Sequence, residues 1–139
     1  MARGKGRVFV VEDHPATARG LKMFLEVSGY TVHVAHTMRT ALQLAGETEF
    51  DVLLCDLNLP DGDGWQLMQK LRATKPPVAI AYSAFDEPGQ IARSKAVGFV
   101  EHVVKGATPE ELVAAIDRAI GGSRRRAEVA ASRESSKSK

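Results

Sequence analysis

Short apolar runs of strand length alternate along this chain with stretches of helical periodicity. Residues 8–11 and 52–55 are apolar without interruption, as expected of strands that are covered on both faces. Further strands are predicted at residues 30–35, 78–82 and around 99–104, and a helical pattern follows each of the five strands. The last helical pattern is the clearest, with apolar residues at i, i+3, i+4, i+7 and i+8, namely Leu112, Ala115, Ile116, Ala119 and Ile120.

Strand–helix units in succession predict an α/β domain with an open parallel sheet. Because parallel strands are joined by right-handed crossovers, the connecting helices are expected on both faces of the sheet. Thr108, with Glu111 three residues later, has the form of a capping box, and the glycine pair at 121 and 122 is expected to end that helix. Asp63 is expected to cap another helix. In such sheets the ligand crevice lies beyond the carboxyl ends of the strands, so the residues found there are the candidates for function.

Length and composition restrict the class of protein. The 139 residues, 44% of them hydrophobic and 26% charged, suffice for one globular domain and are too few for two. No apolar run approaches the roughly 20 residues that span a bilayer, and the first residues lack the apolar stretch of a secretory signal. We therefore expect a cytoplasmic protein with no membrane partner. Cys55 is the only cysteine, which excludes an internal disulfide and a cysteine-rich metal site.

The formal net charge of +2 conceals basic ends around an acidic body. Residues 8–121 carry ten basic against fifteen acidic side chains, a net charge of −5, so nucleic acid is not an expected partner. Residues 1–6 are expected to be a flexible basic N-terminus. Residues 122–139 contain no aromatic residue and one large aliphatic residue, Val129, so we expect a disordered basic tail there, with a short helix from Arg124 to Ser132 as the alternative.

Polar side chains stand at the carboxyl ends of four predicted strands. Glu12 and Asp13 follow the first strand, Asp56 follows the third, Ser83 the fourth and Lys105 the fifth. If the central strands are neighbours, three carboxylates meet a lysine and a hydroxyl, and carboxylates that close repel each other. A divalent cation such as Mg2+, which prefers hard oxygen ligands, would relieve the repulsion. Taken singly, each residue has a plainer interpretation: Glu12 and Asp13 as partners of a helix dipole, Asp56 as a loop acid, the serine as a turn residue and the lysine as a surface charge.

In order and spacing these residues resemble the receiver domain of two-component response regulators. The resemblance rests on Glu12 and Asp13, the run Asp56-Leu-Asn-Leu-Pro-Asp-Gly-Asp-Gly64, Ser83-Ala84 and Lys105, and it covers residues 7–121. It implies a CheY-like, flavodoxin-like (βα)5 fold, a three-layer sandwich whose central five-stranded parallel sheet has the order 2-1-3-4-5. It also implies a signalling phosphoacceptor rather than an enzyme, one that assists its own Mg2+-dependent phosphorylation and dephosphorylation.

The resemblance further implies which residues carry the chemistry. Asp56 would accept a phosphoryl group from the phosphohistidine of a sensor histidine kinase or a histidine phosphotransfer protein. Mg2+, for which Mn2+ could substitute, would be bound by Asp13, Asp56 and the backbone carbonyl of Asn58, and by Glu12 directly or through water. These roles make Asp56 the phosphorylation site of an aspartyl-phosphate protein.

Two further residues would pass the signal on. Lys105 would pair with a phosphoryl oxygen, and the Ser83 hydroxyl would turn towards the phosphoryl group and move the loop after the fourth strand. The surface affected would be that of the fourth helix, the fifth strand and the fifth helix. A downstream protein target, or a second copy of the chain in a phosphorylation-linked dimer, would bind there.

Two positions depart from the family pattern. His102 stands where the family usually has a Tyr or Phe that rotates as a switch, and a titratable imidazole there could make partner binding depend on pH. Gly106 replaces the proline that usually follows the lysine. Since a non-proline cis bond costs about 2.5 to 4 kcal/mol, we expect the bond between Lys105 and Gly106 to be trans.

Other interpretations remain open. A phosphorylation-independent protein-binding module would keep the fold and ignore phosphodonors. A magnesium phosphohydrolase of the haloacid-dehalogenase type would need a second acid two residues after the nucleophile, where this chain has Asn58. Only 18 residues follow Gly121, so no attached effector is expected. A free-standing receiver is the first expectation, and a receiver cut from a hybrid histidine kinase is the second.

Overall fold

Five parallel strands form the central sheet of the computed structural model, which describes residues 4–84 and 87–137. In chain order the elements are β1 (Gly6–Val11), α1 (Pro15–Val27), β2 (Tyr30–Ala35), α2 (Met38–Glu47), β3 (Val52–Asp56), β4 (Asn58–Leu59), β5 (Gly62–Asp63), α3 (Gly64–Arg72), β6 (Ala79–Ser83), α4 (Pro88–Val97), β7 (Glu101–Val104) and α5 (Pro109–Lys137). Strands β4 and β5 form a small antiparallel hairpin outside the central sheet.

The order of the central sheet is β2-β1-β3-β6-β7, and every neighbouring pair is parallel. Because the hairpin strands lie outside the sheet, this is the predicted order 2-1-3-4-5. The predicted α/β fold with five strand–helix units is confirmed.

The sheet carries a core on each face, because successive side chains of a strand point to opposite sides. One core lies between the sheet and α2, α3 and α4, and its buried members include Phe9, Leu53, Ala81, Ala41, Leu67 and Val97. The other lies between the sheet and α1 and α5, and includes Val10, Leu54, Ile80, Leu25 and Ile116. The uninterrupted apolar strands of the sequence are thus explained by burial on both faces.

The strand register aligns the carboxyl ends of the sheet. Val11 of β1 lies opposite Cys55 of β3, and Asp56 lies opposite Tyr82 of β6. Ser83 in turn lies opposite Val104, the last residue of β7. The polar residues that end or follow these strands therefore share one edge of the sheet.

Two predicted helix caps are present. The Asp63 carboxylate accepts a hydrogen bond from the backbone N–H of Gln66 at 2.8 Å, and the Thr108 hydroxyl accepts one from the N–H of Glu111 at 3.1 Å. Each bond satisfies an N–H group that has no partner within its helix. The Asp63 cap fixes the start of α3 directly after the hairpin.

The last helix extends further than the sequence predicts. We expected it to end at Gly121 and a disordered tail to follow, but α5 continues to Lys137. Gly121 does not have a positive φ angle, so it does not form the left-handed cap that ends many helices. The alanines, arginines and glutamates that follow are good helix formers and offset the cost of about 1 kcal/mol for each glycine. No helix in the described part of the chain, α5 included, combines the length and apolarity needed to cross a membrane.

Part of the predicted flexible N-terminus is tied to the domain. Residues 1–3 lie outside the described residues. The backbone N–H of Lys5 donates to the carbonyl of Gly29 at 2.8 Å, and its ammonium lies 3.8 Å from the carboxylate of Asp117. Gly6 already belongs to β1, so the ordered chain begins before the boundary that the sequence predicts.

Two glycine-to-alanine substitutions should have opposite effects on stability. Gly121→Ala should raise the free energy of unfolding by about 0.5–1 kcal/mol, because alanine is the better helix former and the added Cβ meets no other group within 4 Å. Gly98→Ala should lower it by about 1–2 kcal/mol, because Gly98 has a φ of +113° and its Cβ would lie 3.1 Å from Arg72 Cδ. Urea unfolding followed by circular dichroism measures both. A Gly121→Ala variant less stable than wild type would contradict the continuous helix.

Candidate functional site

Three carboxylates meet at the carboxyl edge of the sheet. Glu12 and Asp13 follow β1, Asp56 ends the neighbouring β3, and each offers a carboxylate oxygen within 4.8 Å of the others. Glu12 and Asp56 are buried, whereas Asp13 is exposed at the mouth of the site. The structure thus brings together the three acids that the sequence placed at this edge.

Lys105 carries the positive charge that balances these acids. Its Nζ lies 2.7 Å from Glu12 Oε1 and 2.9 Å from Asp56 Oδ2. The side chains of Glu12 and Asp56 are 1% and 5% exposed, and that of Lys105 is 28% exposed. The three groups are largely shielded from water, so removing one of them would leave uncompensated buried charge.

Burial and pairing shift the ionisation of this cluster. Loss of hydration raises the pKa of Glu12, against the hydrogen bonds that it receives from Lys105 and from the backbone N–H of His14. Burial lowers the pKa of Lys105, but its hydrogen bonds to Glu12 and Asp56, together with their charges, outweigh burial, and the net shift of that pKa is upward. The lysine is therefore held in its charged form.

The carboxylate oxygens are not equally available. In Glu12, Oε1 accepts from Lys105 and Oε2 accepts from the backbone N–H of His14 at 3.0 Å. In Asp56, Oδ2 accepts from Lys105 and Oδ1 accepts from the backbone N–H of Asn58 at 3.0 Å. All four carboxylate oxygens of Glu12 and Asp56 thus accept one hydrogen bond each, and each keeps a second lone pair for an ion. Asp13 is exposed at the mouth of the site, so its carboxylate is the most accessible of the three.

In the hairpin, the carbonyl of Asn58 is not used in a hydrogen bond between β4 and β5. Opposite pairs in an antiparallel ladder alternate between hydrogen-bonded and non-hydrogen-bonded. The N–H of Gly64 donates to the carbonyl of Leu57 at 3.0 Å, one position beyond the pair of Asn58 with Asp63. The Asn58–Asp63 pair therefore falls in the non-hydrogen-bonded class. The carbonyl of Asn58 therefore points out of the hairpin ladder, which makes it a candidate third ligand beside Asp56.

The donor set suits a hard cation such as Mg2+ or Mn2+. Carboxylate and carbonyl oxygens are the ligands that these ions prefer. Cys55 precedes Asp56, but burial raises the pKa of its thiol and keeps it protonated, so it is not a ligand. Within the ranges that the structure describes, no other group of three or more His, Cys, Asp or Glu side chains comes together.

Ser83 and Lys105 are linked through the backbone. Ser83 ends β6 with 1% of its surface exposed, and its carbonyl accepts the N–H of Lys105 at 2.8 Å. None of the peptide bonds in the described ranges is cis, so the bond between Lys105 and Gly106 is trans, as expected. The loop after β6 and the loop after β7 are therefore tied together at the site.

A buried serine that no sequence pattern indicates joins three elements. Ser94 of α4 is fully buried, its Oγ accepts from Trp65 Nε1 at 3.0 Å, and it lies 3.1 Å from His102 Nδ1. The guanidinium of Arg93 stacks over the Trp65 ring at 4.0 Å. We call Trp65, Ser94 and His102 the Ser94 cluster. It connects the predicted switch position on β7 to α3 and α4.

Comparison with known proteins matches most of the chain to one family. The family model for the response regulator receiver domain matches residues 8–117. Transcriptional regulatory protein SrrA of Staphylococcus aureus is 33% identical over 106 residues, which are 76% of this chain and 44% of SrrA. Transcriptional activator protein IrlR of Burkholderia pseudomallei is 30% identical over 110 residues, 79% of this chain and 48% of IrlR. The chain spans about half the length of the curated relatives it matches.

Comparison with solved structures also matches the chain to receiver domains of response regulators. A CheY-like receiver domain protein from Methanospirillum hungatei aligns with a TM-score of 0.82 at 25% identity, covering 86% of this chain and 97% of that one. The chemotaxis response regulator CheY4 of Vibrio cholerae aligns with a TM-score of 0.76 at 27% identity, covering 81% and 97%. The similarity therefore extends over nearly the whole of each of these domains.

Replacing Lys105 by methionine tests the charge balance. The change keeps much of the side-chain volume but leaves Glu12 and Asp56 without a counter-charge, so near pH 7 the metal-free protein should lose about 3 kcal/mol of unfolding free energy. The loss should shrink in acid. A carboxylate whose pKa is raised in the folded state binds more protons folded than unfolded, so stability rises as pH falls through the window between the two values.

Lys75→Met is the matched control, since Lys75 is exposed in the loop before β6 and its change should alter stability by less than about 0.5 kcal/mol. Urea unfolding in EDTA, repeated from neutral pH downwards, measures both variants. If the two were equally stable at neutral pH, Lys105 would not be balancing the buried acids.

Proposed function

Because the chain belongs to the response regulator receiver domain family, we propose that it is a phosphoacceptor of a two-component or phosphorelay system, acting in the cytoplasm. Its donor is the phosphohistidine of a sensor histidine kinase or a histidine phosphotransfer protein, and its acceptor is Asp56. The observation that carries this proposal is the placement of Asp56, buried at the end of a central strand with its Oδ2 at 2.9 Å from Lys105 Nζ.

In the proposed reaction a carboxylate oxygen of Asp56 attacks the phosphorus atom of the donor. An O–P bond forms, the P–N bond of the phosphohistidine breaks, and its electron pair remains on the imidazole nitrogen. Such transfers are accelerated mainly by positioning and by charge. Asn58 positions the acceptor through its N–H on Asp56 Oδ1, and Lys105 supplies positive charge beside Oδ2.

Asp13, Asp56 and the carbonyl of Asn58 would hold Mg2+, with Mn2+ as a substitute and Glu12 as a direct or water-mediated fourth group. The bound ion would neutralise the charge of the acceptor and of the incoming phosphoryl oxygens. The role of Glu12 follows from its contact with Lys105 at 2.7 Å, which would keep the lysine in the site if it turned from Asp56 to a phosphoryl oxygen. The same residues would assist hydrolysis of the aspartyl phosphate, so the protein is a signalling phosphoacceptor and not an enzyme with a separate substrate.

The signal would leave through α4, β7 and α5. Ser83 would turn its hydroxyl to the phosphoryl group, and its carbonyl bond to Lys105 transmits the movement to the loop after β7. A groove of about 580 Å³ between β7 and α5 includes Glu101, His102 and Arg118 in its lining. A downstream protein, or a second copy of the chain, would bind on this surface.

A phosphorylation-independent binding module is the second candidate. The observation that favours it is His102, whose Nδ1 is engaged with buried Ser94 and which stands at the predicted switch position. If the imidazole cannot leave that contact, the surface would keep one shape whether or not Asp56 is modified. This candidate keeps the fold and predicts partner binding without a phosphodonor.

Phosphorylation by a small-molecule donor tests the acceptor. With acetyl phosphate and Mg2+, the wild-type chain should gain one phosphoryl group in intact-mass analysis and Asp56→Asn should gain none, because an amide is not a nucleophile of this kind. Asp51→Asn changes an exposed acid at the opposite end of β3 and should be modified like wild type. Equal modification of Asp56→Asn and wild type would show that Asp56 is not the acceptor. Modification of wild type that is unaffected by EDTA would show that the reaction does not need a metal ion.

The Ser94 cluster offers an optical readout of the output surface. Trp65 is the only tryptophan, and its indole N–H donates to Ser94. Phosphorylation should change its fluorescence, and Ser94→Ala should largely abolish that change while Asp56 is still modified. Ser28→Ala, which removes a hydroxyl bonded to the Phe24 carbonyl at the end of α1, should respond like wild type. A full fluorescence response in Ser94→Ala would show that the Ser94 cluster does not couple Trp65 to the phosphorylation site.

A further inference from the structure

We infer that Asp61 is a positioning residue for the metal site, because it ties the hairpin that carries the Asn58 carbonyl to the N-terminus of α2. The inference rests on the proposed function, since it concerns how the site holds Mg2+. Asp61 lies in the turn between β4 and β5. Its Oδ1 accepts the backbone N–H of Met38 at 2.7 Å, and its Oδ2 accepts that of Arg39 at 2.9 Å.

These two bonds satisfy backbone N–H groups that have no hydrogen-bond acceptor within α2. Met38 and Arg39 are the first residues of α2, where backbone N–H groups lack an intrahelical acceptor. The helix's own cap, Thr37, accepts from the N–H of Thr40 and leaves the first two groups to Asp61. The bonds from Arg39 and Met38 lower the pKa of Asp61, so the carboxylate is ionised and the bonds are charge-assisted.

Several contacts hold the hairpin, and those of Asp61 are at its turn. The N–H of Asn58 is bonded to Asp56 Oδ1, and Leu59 is buried in the core, against which Met38 also packs. The turn approaches α2 so closely that a Cβ on Gly62 would lie 2.8 Å from Met38 Cε. The hairpin therefore cannot tilt away from α2 while Asp61 remains bonded.

Loss of the two hydrogen bonds to Asp61 should disturb the hairpin more than it disturbs α2. Helix α2 keeps its Thr37 cap and its buried contact through Ala41. The hairpin has only two residues in each strand, so it has little pairing of its own to keep its shape. Freed at the turn, it would hold the Asn58 carbonyl less firmly towards the cation.

Mg2+ binding measures this directly. We expect Asp61→Asn to raise the Kd for Mg2+ alone, followed by backbone amide shifts in a nuclear magnetic resonance titration, by about tenfold, the lower end of what outer ligand-orienting groups contribute. Asp51→Asn is the matched control: it removes the same charge and also an acceptor of a backbone N–H, that of Arg7 at 2.7 Å, but at the far end of β3. It should keep the wild-type Kd.

Two comparisons separate positioning from plain charge and from plain stability. The ratio of the Asp61→Asn and wild-type Kd values should persist in 1 M KCl, where the Debye length is about 3 Å, and a ratio that fell to one there would overturn the inference. Thr37→Ala weakens the same helix start without releasing the turn. It should lower thermal stability and leave the Kd unchanged, and a Kd raised as much as in Asp61→Asn would also overturn the inference.

Phosphorylation separates this inference from the function on which it rests. At saturating Mg2+, Asp61→Asn should be modified by acetyl phosphate as fast as wild type, and at low Mg2+ more slowly. A wild-type chain that is not modified at Asp56 would refute the proposed function, whatever the Kd values. Normal modification of wild type together with equal Kd values for Asp61→Asn and wild type would refute the positioning role alone.

Discussion

A lysine held between two buried carboxylates is the interaction on which the rest of this molecule depends. Taking carboxylates out of water is costly unless they are paired and hydrogen-bonded. Lys105 meets that requirement for both Glu12 and Asp56, at 2.7 and 2.9 Å. The three residues come from the ends of β1, β3 and β7, so they meet only when these strands are assembled with β6 between β3 and β7. The charged site therefore depends on the pairing of four of the five strands.

The three acids of the site differ in their contacts and exposure. Glu12 secures the lysine and the backbone N–H of His14, and Asp13 is exposed towards solvent. Asp56 accepts one hydrogen bond on each oxygen and keeps a second lone pair on each for an ion. Charge that arrives at Asp56 would alter what Lys105 pairs with, and the backbone of Lys105 is bonded to Ser83. Beyond these loops lie β7 and the Ser94 cluster, where His102 is in contact with α4. A change of charge at Asp56, the proposed acceptor, thus has a continuous route of contacts to the surface proposed for output.

Sequence patterns were sufficient wherever a residue's role follows from its place in a repeating element. The strand order was implied by the resemblance to the receiver family, and given that order the meeting of Glu12, Asp13, Asp56 and Lys105 was predictable because each residue ends or follows a strand of one parallel sheet. The contacts of Ser94 and Asp61 were not, because Trp65 lies 29 residues from Ser94 and Met38 lies 23 residues from Asp61, on other elements, and no periodicity links them. Helix α5 continues past the glycine pair at which we expected it to end, and Gly121 does not adopt the left-handed φ with which many helices end. Local residue type indicated the caps at Asp63 and Thr108, whereas the contacts made across the fold required the structure.

The most direct test of this account is the position at which a divalent cation binds. Mn2+ prefers the same oxygen ligands as Mg2+ and scatters anomalously, so crystals soaked in Mn2+ locate the site without ambiguity. The account predicts one anomalous peak in contact with Asp13, Asp56 and the carbonyl oxygen of Asn58, with Lys105 still bonded to Glu12. A strong peak elsewhere, with none beside Asp56, would contradict it.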